Sequence, residues 1–131
     1  MPTLHDVIRE VASRFEVVYK QTGDDAFVME VGFDDGRTQV VAVGIADDGD
    51  GETWVTAQSM IGALADLDAE ALLSANSATG YAFVAASDGT AYVCAQLPLS
   101  IVDVDLCKSM IWSVAVFADS IEAEAFGDDE A

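Results

Sequence analysis

Short apolar runs cut by Asp-Gly pairs fill the middle of this chain, and that pattern restricts its fold more than any other feature. Phe27, Met29, Val31 and Phe33 alternate with Val28, Glu30 and Gly32 before Asp34-Asp35-Gly36. Residues 38–46, rich in Val and Ile, lead to Asp47-Asp48-Gly49-Asp50-Gly51, and residues 53–57 follow. Asp and Gly tolerate the positive φ that tight turns need, so apolar runs separated by them read as hairpins. The spacing predicts a three-stranded antiparallel meander, with room for an extra short strand at 15–19. A second hairpin is expected from residues 81–86 and 91–97 around Asp88-Gly89. Pro98, which has no amide for the ladder, ends it.

Helices bracket these strands. Thr3 followed by Asp6 starts one over residues 3–14, since the hydroxyl can accept from an orphan amide and the carboxylate suits the positive end of the helix. Leu4, Val7, Ile8, Val11, Ala12 and Phe15 recur there at three- and four-residue spacing. Residues 66–74 contain no Gly, Pro or β-branched residue and predict a short helix capped by Asp66 or Asp68. The longest helix is expected at about 103–126. Cys107, Met110, Ile111, Val114, Phe117, Ala118, Ile121 and Ala125 form one face of it, but Trp112 and Val116 lie off that face. Between 110 and 118 only Ser113 is polar, so the helix is expected to be covered on two sides, by the sheet and by another chain. Together these elements describe one α+β domain over residues 1–126. Its single antiparallel β-sheet has about five strands with helices packed on it, in the order α-β-β-β-α-β-β-α, and a solvated acidic tail follows at 127–131.

Charge then limits the partners. The 131 residues include 24 Asp+Glu against 5 Lys+Arg, a formal net charge of −19. With 52% apolar residues and a positive mean hydropathy the chain should nevertheless collapse and fold. Phosphate recognition needs clustered Lys and Arg, whereas Arg9, Arg14, Lys20, Arg37 and Lys108 are dispersed, so nucleic acid and anionic membranes are not expected partners. Leu4-His5-Asp6 is too polar for a secretory leader, no apolar run approaches the roughly 18 residues of a membrane span, and a cytoplasmic location is expected. Asp outnumbers Glu 16 to 8 and Lys occurs twice, a composition similar to that of proteins from high-salt organisms, where self-repulsion is screened. An ordinary acidic protein is the alternative.

Chemistry-bearing motifs are sparse. Asp48, Asp50 and Glu52 alternate as in a calcium loop, but Thr53 stands where the sharp turn needs Gly and Ser59 where a bidentate Glu should close the shell. Cys94 and Cys107 form no CxxC and read as two buried thiols. His5 lies on the polar side of the first helix and reads as exposed. Paired carboxylates such as Asp24-Asp25 and Asp34-Asp35 sit beside Gly and read as turn chemistry. No nucleophile elbow, phosphate loop or metal-binding His pair occurs, so no catalytic residue, cofactor or metal is expected.

One stretch resembles a known family. Leu72-Leu73-Ser74-Ala75-Asn76, then Tyr81-Ala82-Phe83-Val84-Ala85, Asp88-Gly89, Tyr92-Val93-Cys94-Ala95-Gln96-Leu97-Pro98-Leu99 and the helix ending Val116-Phe117-Ala118-Asp119-Ser120-Ile121-Glu122 is similar to the second half of the type III secretion chaperone-like fold. That fold includes the dimeric chaperones of secreted effectors and the YbjN-type proteins. About 50 residues carry the likeness in detail and the rest by element order. It implies a non-enzymatic, commonly dimeric module that holds a segment of a partner polypeptide. Carried over, Leu67, Leu72 and Leu73 are candidates for the homodimer interface, with Trp112 beside them on the long helix. Leu4, Val7, Ile8 and Phe15 are candidates for the partner surface. Each also fits an ordinary core position, and a salt-adapted organism could use the same fold for another purpose. A second reading is a small-ligand sensor or enzyme with a pocket between the sheet and the last helix near Tyr81, Tyr92 and Trp112.

Overall fold

The computed structural model describes residues 3–47, 49–76 and 82–126, with the side chains of 125 and 126 outside the description. Helix α1 (Leu4–Phe15) opens with a capping box: Thr3 Oγ1 accepts from the Asp6 amide, and the Asp6 carboxylate accepts from the Thr3 amide, both at 3.1 Å. It ends where Glu16 takes the left-handed conformation at φ 59°. Strands β1 (Tyr19–Gly23), β2 (Ala26–Gly32), β3 (Thr38–Asp47) and β4 (Thr53–Ala63) follow. A 3-10 turn at Leu64–Asp66 leads into α2 (Ala69–Ala75), then β5 (Phe83–Ser87), β6 (Thr90–Pro98), a second 3-10 turn at Leu99–Ile101, and α3 (Val104–Phe126). Asp68 caps α2 by accepting from the Glu70 and Ala71 amides, and Asp103 accepts from the Leu106 amide at 2.8 Å to start α3. Asp88 and Gly89 both take positive φ, 51° and 79°, as the tight β5–β6 hairpin requires.

The class is α+β, with one antiparallel sheet in the order β1-β2-β3-β4-β6-β5. It has six strands where about five were expected. The additional strand is β1, which begins at Tyr19, the last residue of the short strand entertained at 15–19. Residues 15–18 instead close α1 and lead out of it. Tyr-Lys-Gln-Thr-Gly is polar, and all but Tyr19 is exposed, so an edge strand of this kind leaves no apolar alternation to read. The acidic tail, residues 127–131, lies outside the described residues.

Among the described residues all three helices lie on one face of the sheet and leave the other open. Helix α3 crosses β3, β4 and β6, α1 lies on β2 and against α3, and α2 sits by β5 at the edge. Phe27, Met29, Val31, Val41, Val43, Val55 and Val93 point to the helices and meet Ile8 and Val11 of α1 and Met110, Ile111 and Val114 of α3 in one core. Each such side chain contributes about 1.5–3 kcal/mol through burial. A buried Gln39 interrupts this layer; its amide donates to Ser59 Oγ at 3.0 Å, Ser59 donates to the Val40 carbonyl at 2.7 Å, and Gln39 Oε1 finds no partner among the described residues. Both sheet edges are blunted. The Val84 amide on β5 donates to Asn76 Oδ1 at the end of α2, and β1 carries Lys20 and an irregular register between Gln21 and Gly23. Among the described residues, no helix is long and apolar enough to cross a membrane.

Candidate functional site

Phe15 ends the apolar stripe of α1, Phe33 follows β2, and Trp112 projects from the side of α3 away from the core. The fold brings the three together. The Trp112 ring lies 5.5 Å from Phe33 and 6.0 Å from Phe15, centroid to centroid, and Lys108 Nζ stands 5.2 Å from the Phe15 ring centre. Two ion pairs tie the neighbouring elements to α3. Arg14 of α1 reaches Asp105 at 2.8 Å, and Arg37 of the β2–β3 turn reaches Asp119 at 2.9 Å. Beside Trp112 lies an open depression of about 400 Å3 lined by Phe33, Asp34, Asp35, Trp112, Val116 and Asp119. Trp112 is 42% and Val116 41% exposed in the single chain, so the side of α3 expected to meet another chain faces solvent. Arg37 engages both Asp35 and Asp119, which makes them bracing groups rather than an acid–base pair. Chemically the depression can hold apolar or aromatic side chains.

The other expected site residues disperse. Leu4, Val7 and Ile8, read as a partner surface, are buried in the core at 7%, 4% and 0% exposure. An apolar stripe on a helix lying against a sheet is consumed by the sheet, and of the four only Phe15 is half-exposed. On α2 and the turn before it, Leu72 is buried, Leu67 half-buried and Leu73 68% exposed, so Leu73 alone presents a full side chain outward. Leu67 and Leu72 line a depression of about 400 Å3 shared with Ile121 and Glu124 of α3. A third depression, about 520 Å3, opens where Leu4 and Val7 meet Ile45, Glu52, Leu99 and Val102.

Of the residues named for a pocket between sheet and last helix, the two that are described, Tyr92 and Trp112, do not converge there. Tyr92 pairs with Met60 on the face away from α3, Trp112 lies on the outer side of α3, and Tyr81 is outside the described residues. The sheet–α3 interface is filled by Cys107, Met110, Ile111, Val114 and Ala118, all 0% exposed. His5 is half-buried rather than exposed, with Nε2 2.9 Å from the Tyr19 hydroxyl and its ring against Phe27. Of the two thiols Cys107 is fully buried, whereas Cys94 is half-buried on the open sheet face. Burial pushes the Cys107 thiol up to about 12 and raises that of Cys94, so neither is an activated thiolate. Among the described residues no three His, Cys, Asp or Glu side chains converge as metal ligands would.

The open sheet face itself was not among the expected sites. Val40, Trp54, Met60, Phe83 and Tyr92 stand on it. The signal was present in residues 38–46, where Val40, Ala42, Gly44 and Ala46 occupy the positions that a solvated strand face fills with charge.

No protein-family model matches the chain, and no curated protein matches it.

Proposed function

We propose that this protein is a non-enzymatic, homodimeric, cytoplasmic module of the type III secretion chaperone-like kind, which holds a segment of a partner polypeptide as its chaperone or regulator. The observation that carries the reading is the aromatic shelf in which exposed Trp112 stands on half-buried Phe15 and Phe33, extended by exposed Val116 along α3. Aromatic anchors in a shallow depression with a polar rim are what a bound segment uses for most of its affinity. The element order supports the same reading, with helix, meander, short helix, hairpin and long helix in succession after allowance for β1. A net charge of −19 favours a segment that is neutral or basic over an acidic one.

Affinity capture from the native lysate followed by mass spectrometry tests this. A polypeptide retained by the wild type should be lost from Trp112→Ala, whose truncation is expected to cost about 2 kcal/mol of binding with the far-UV circular dichroism unchanged. Retention of nothing, or of the same proteins by both, would count against the shelf.

A further inference from the structure

We infer that the uncovered sheet face is the seam of the homodimer, a second copy of this chain laying the same face of β3, β4, β6 and β5 against it. The inference rests on the homodimeric part of the proposed function and assigns its surface.

Charge selects the occupant. On this face every residue of those four strands is uncharged: Val40, Trp54, Met60, Phe83 and Tyr92 stand among Ala, Gly, Thr and Gln, and the charged Lys20 and Glu30 lie only at the β1–β2 margin. Two chains of −19 repel, and a two-fold seam sets each patch against its own copy, so a second copy can close only where no carboxylate meets a carboxylate. A basic partner would be drawn instead to the carboxylates, which, apart from Glu30 on β2 and Asp47 at the end of β3, lie in the turns and helices among the described residues. The neutral face therefore suits a neutral partner, and a second copy supplies one.

Shape and size agree. Met60 and Val40 protrude, at 61% and 51% exposed, while Ala42 and Gly44 leave a low strip beside them on β3. Among the described residues a Cβ placed on Gly44 would meet only the Asp25 carbonyl oxygen at 3.7 Å, an ordinary contact, so none of them requires the glycine. Glycine inside a strand weakens it and commonly marks the close approach of another surface. At ~4.8 Å between strands and ~3.3 Å per residue, the four strands present roughly 550 Å2 in flat projection, close to the lower end of the ~600–1,000 Å2 each partner gives to a stable interface. The Asn76 side chain bonded to the Val84 amide of β5 and the irregular register of β1 disfavour pairing at the edges, which leaves the face.

Sedimentation and light scattering across the micromolar range, in low salt and in molar KCl, provide the test. A dimer that tightens with salt is expected, because the acidic shells of the two copies are screened while the seam is unaffected. Gln58→Glu and Met60→Asp, both at exposed positions of β4, should weaken association on the order of tenfold or more while the circular dichroism stays wild-type, and Leu73→Asp on α2 should not. Cys94, which pairs with Gln58 on the same face, should alkylate more slowly as the dimer fills, and Gln58→Glu should restore the monomer's rate. A wild type monomeric in both salts would overturn the seam and the homodimer together, leaving only partner binding to be judged by capture. A dimer dissolved by Leu73→Asp but not by Gln58→Glu would overturn the seam alone.

Discussion

Cys107 shows how a single residue records its surroundings. It lies on the sheet-facing side of α3, where burial, aided by the nearby Asp103 carboxylate, pushes its thiol from an ordinary value of 9.0 up to about 12. A group whose folded value lies above its unfolded one adds stability in full below the unfolded value, and loses it as pH rises between the two. Denaturant titrations stepped from pH 9 towards 12 should therefore show stability falling, and Cys107→Ala should flatten that fall. An equal slope in both proteins would remove Cys107 as its cause. The thiol's burial was legible in the sequence, because Cys107 falls in phase with Met110, Ile111 and Val114. The surroundings of His5 were not. It sits on the polar side of α1, and only the approach of β1 and β2 brings Tyr19 and Phe27 against its ring.

At the scale of elements, local chemistry explains the starts and turns. Thr3, Asp68 and Asp103 cap the three helices, and Asp88-Gly89 makes the tight hairpin. Helix α2 depends most on its cap, since seven residues do not sustain a helix unaided. Asp68→Ala should cost about 1 kcal/mol locally, read as roughly fivefold faster hydrogen exchange at the Leu72 and Leu73 amides with little change in α3. Unchanged exchange would show that packing on β5 holds the helix by itself. Caps and turns were readable because they need only neighbours within four residues. β1 was missed for the converse reason: Tyr19-Lys20-Gln21-Thr22-Gly23 has no apolar period and is a strand because β2 offers it a ladder.

For the whole molecule the charge sets the working conditions. A formal −19 on a single domain destabilises the compact state through self-repulsion, which added salt screens. Melting temperature should rise by about 5 °C or more between low salt and molar KCl, and a flat profile would leave the acidity as a matter of solubility alone. The sequence by itself determined the α+β class, the three helices, the hairpins and a core drawn from the apolar stripes of α1, α3 and the central strands, since these follow from periodicity and turn chemistry along the chain. Only the tertiary structure decided which apolar surfaces are consumed and which remain. Leu4, Val7 and Ile8 vanish beneath the sheet, while Phe15, Phe33 and Trp112 meet at a shelf, and Val40 and Met60 stay uncovered. Apolarity states that a side chain will be covered. What covers it depends on long-range packing, and here three helices on one face of a six-stranded sheet leave the other face uncovered among the described residues.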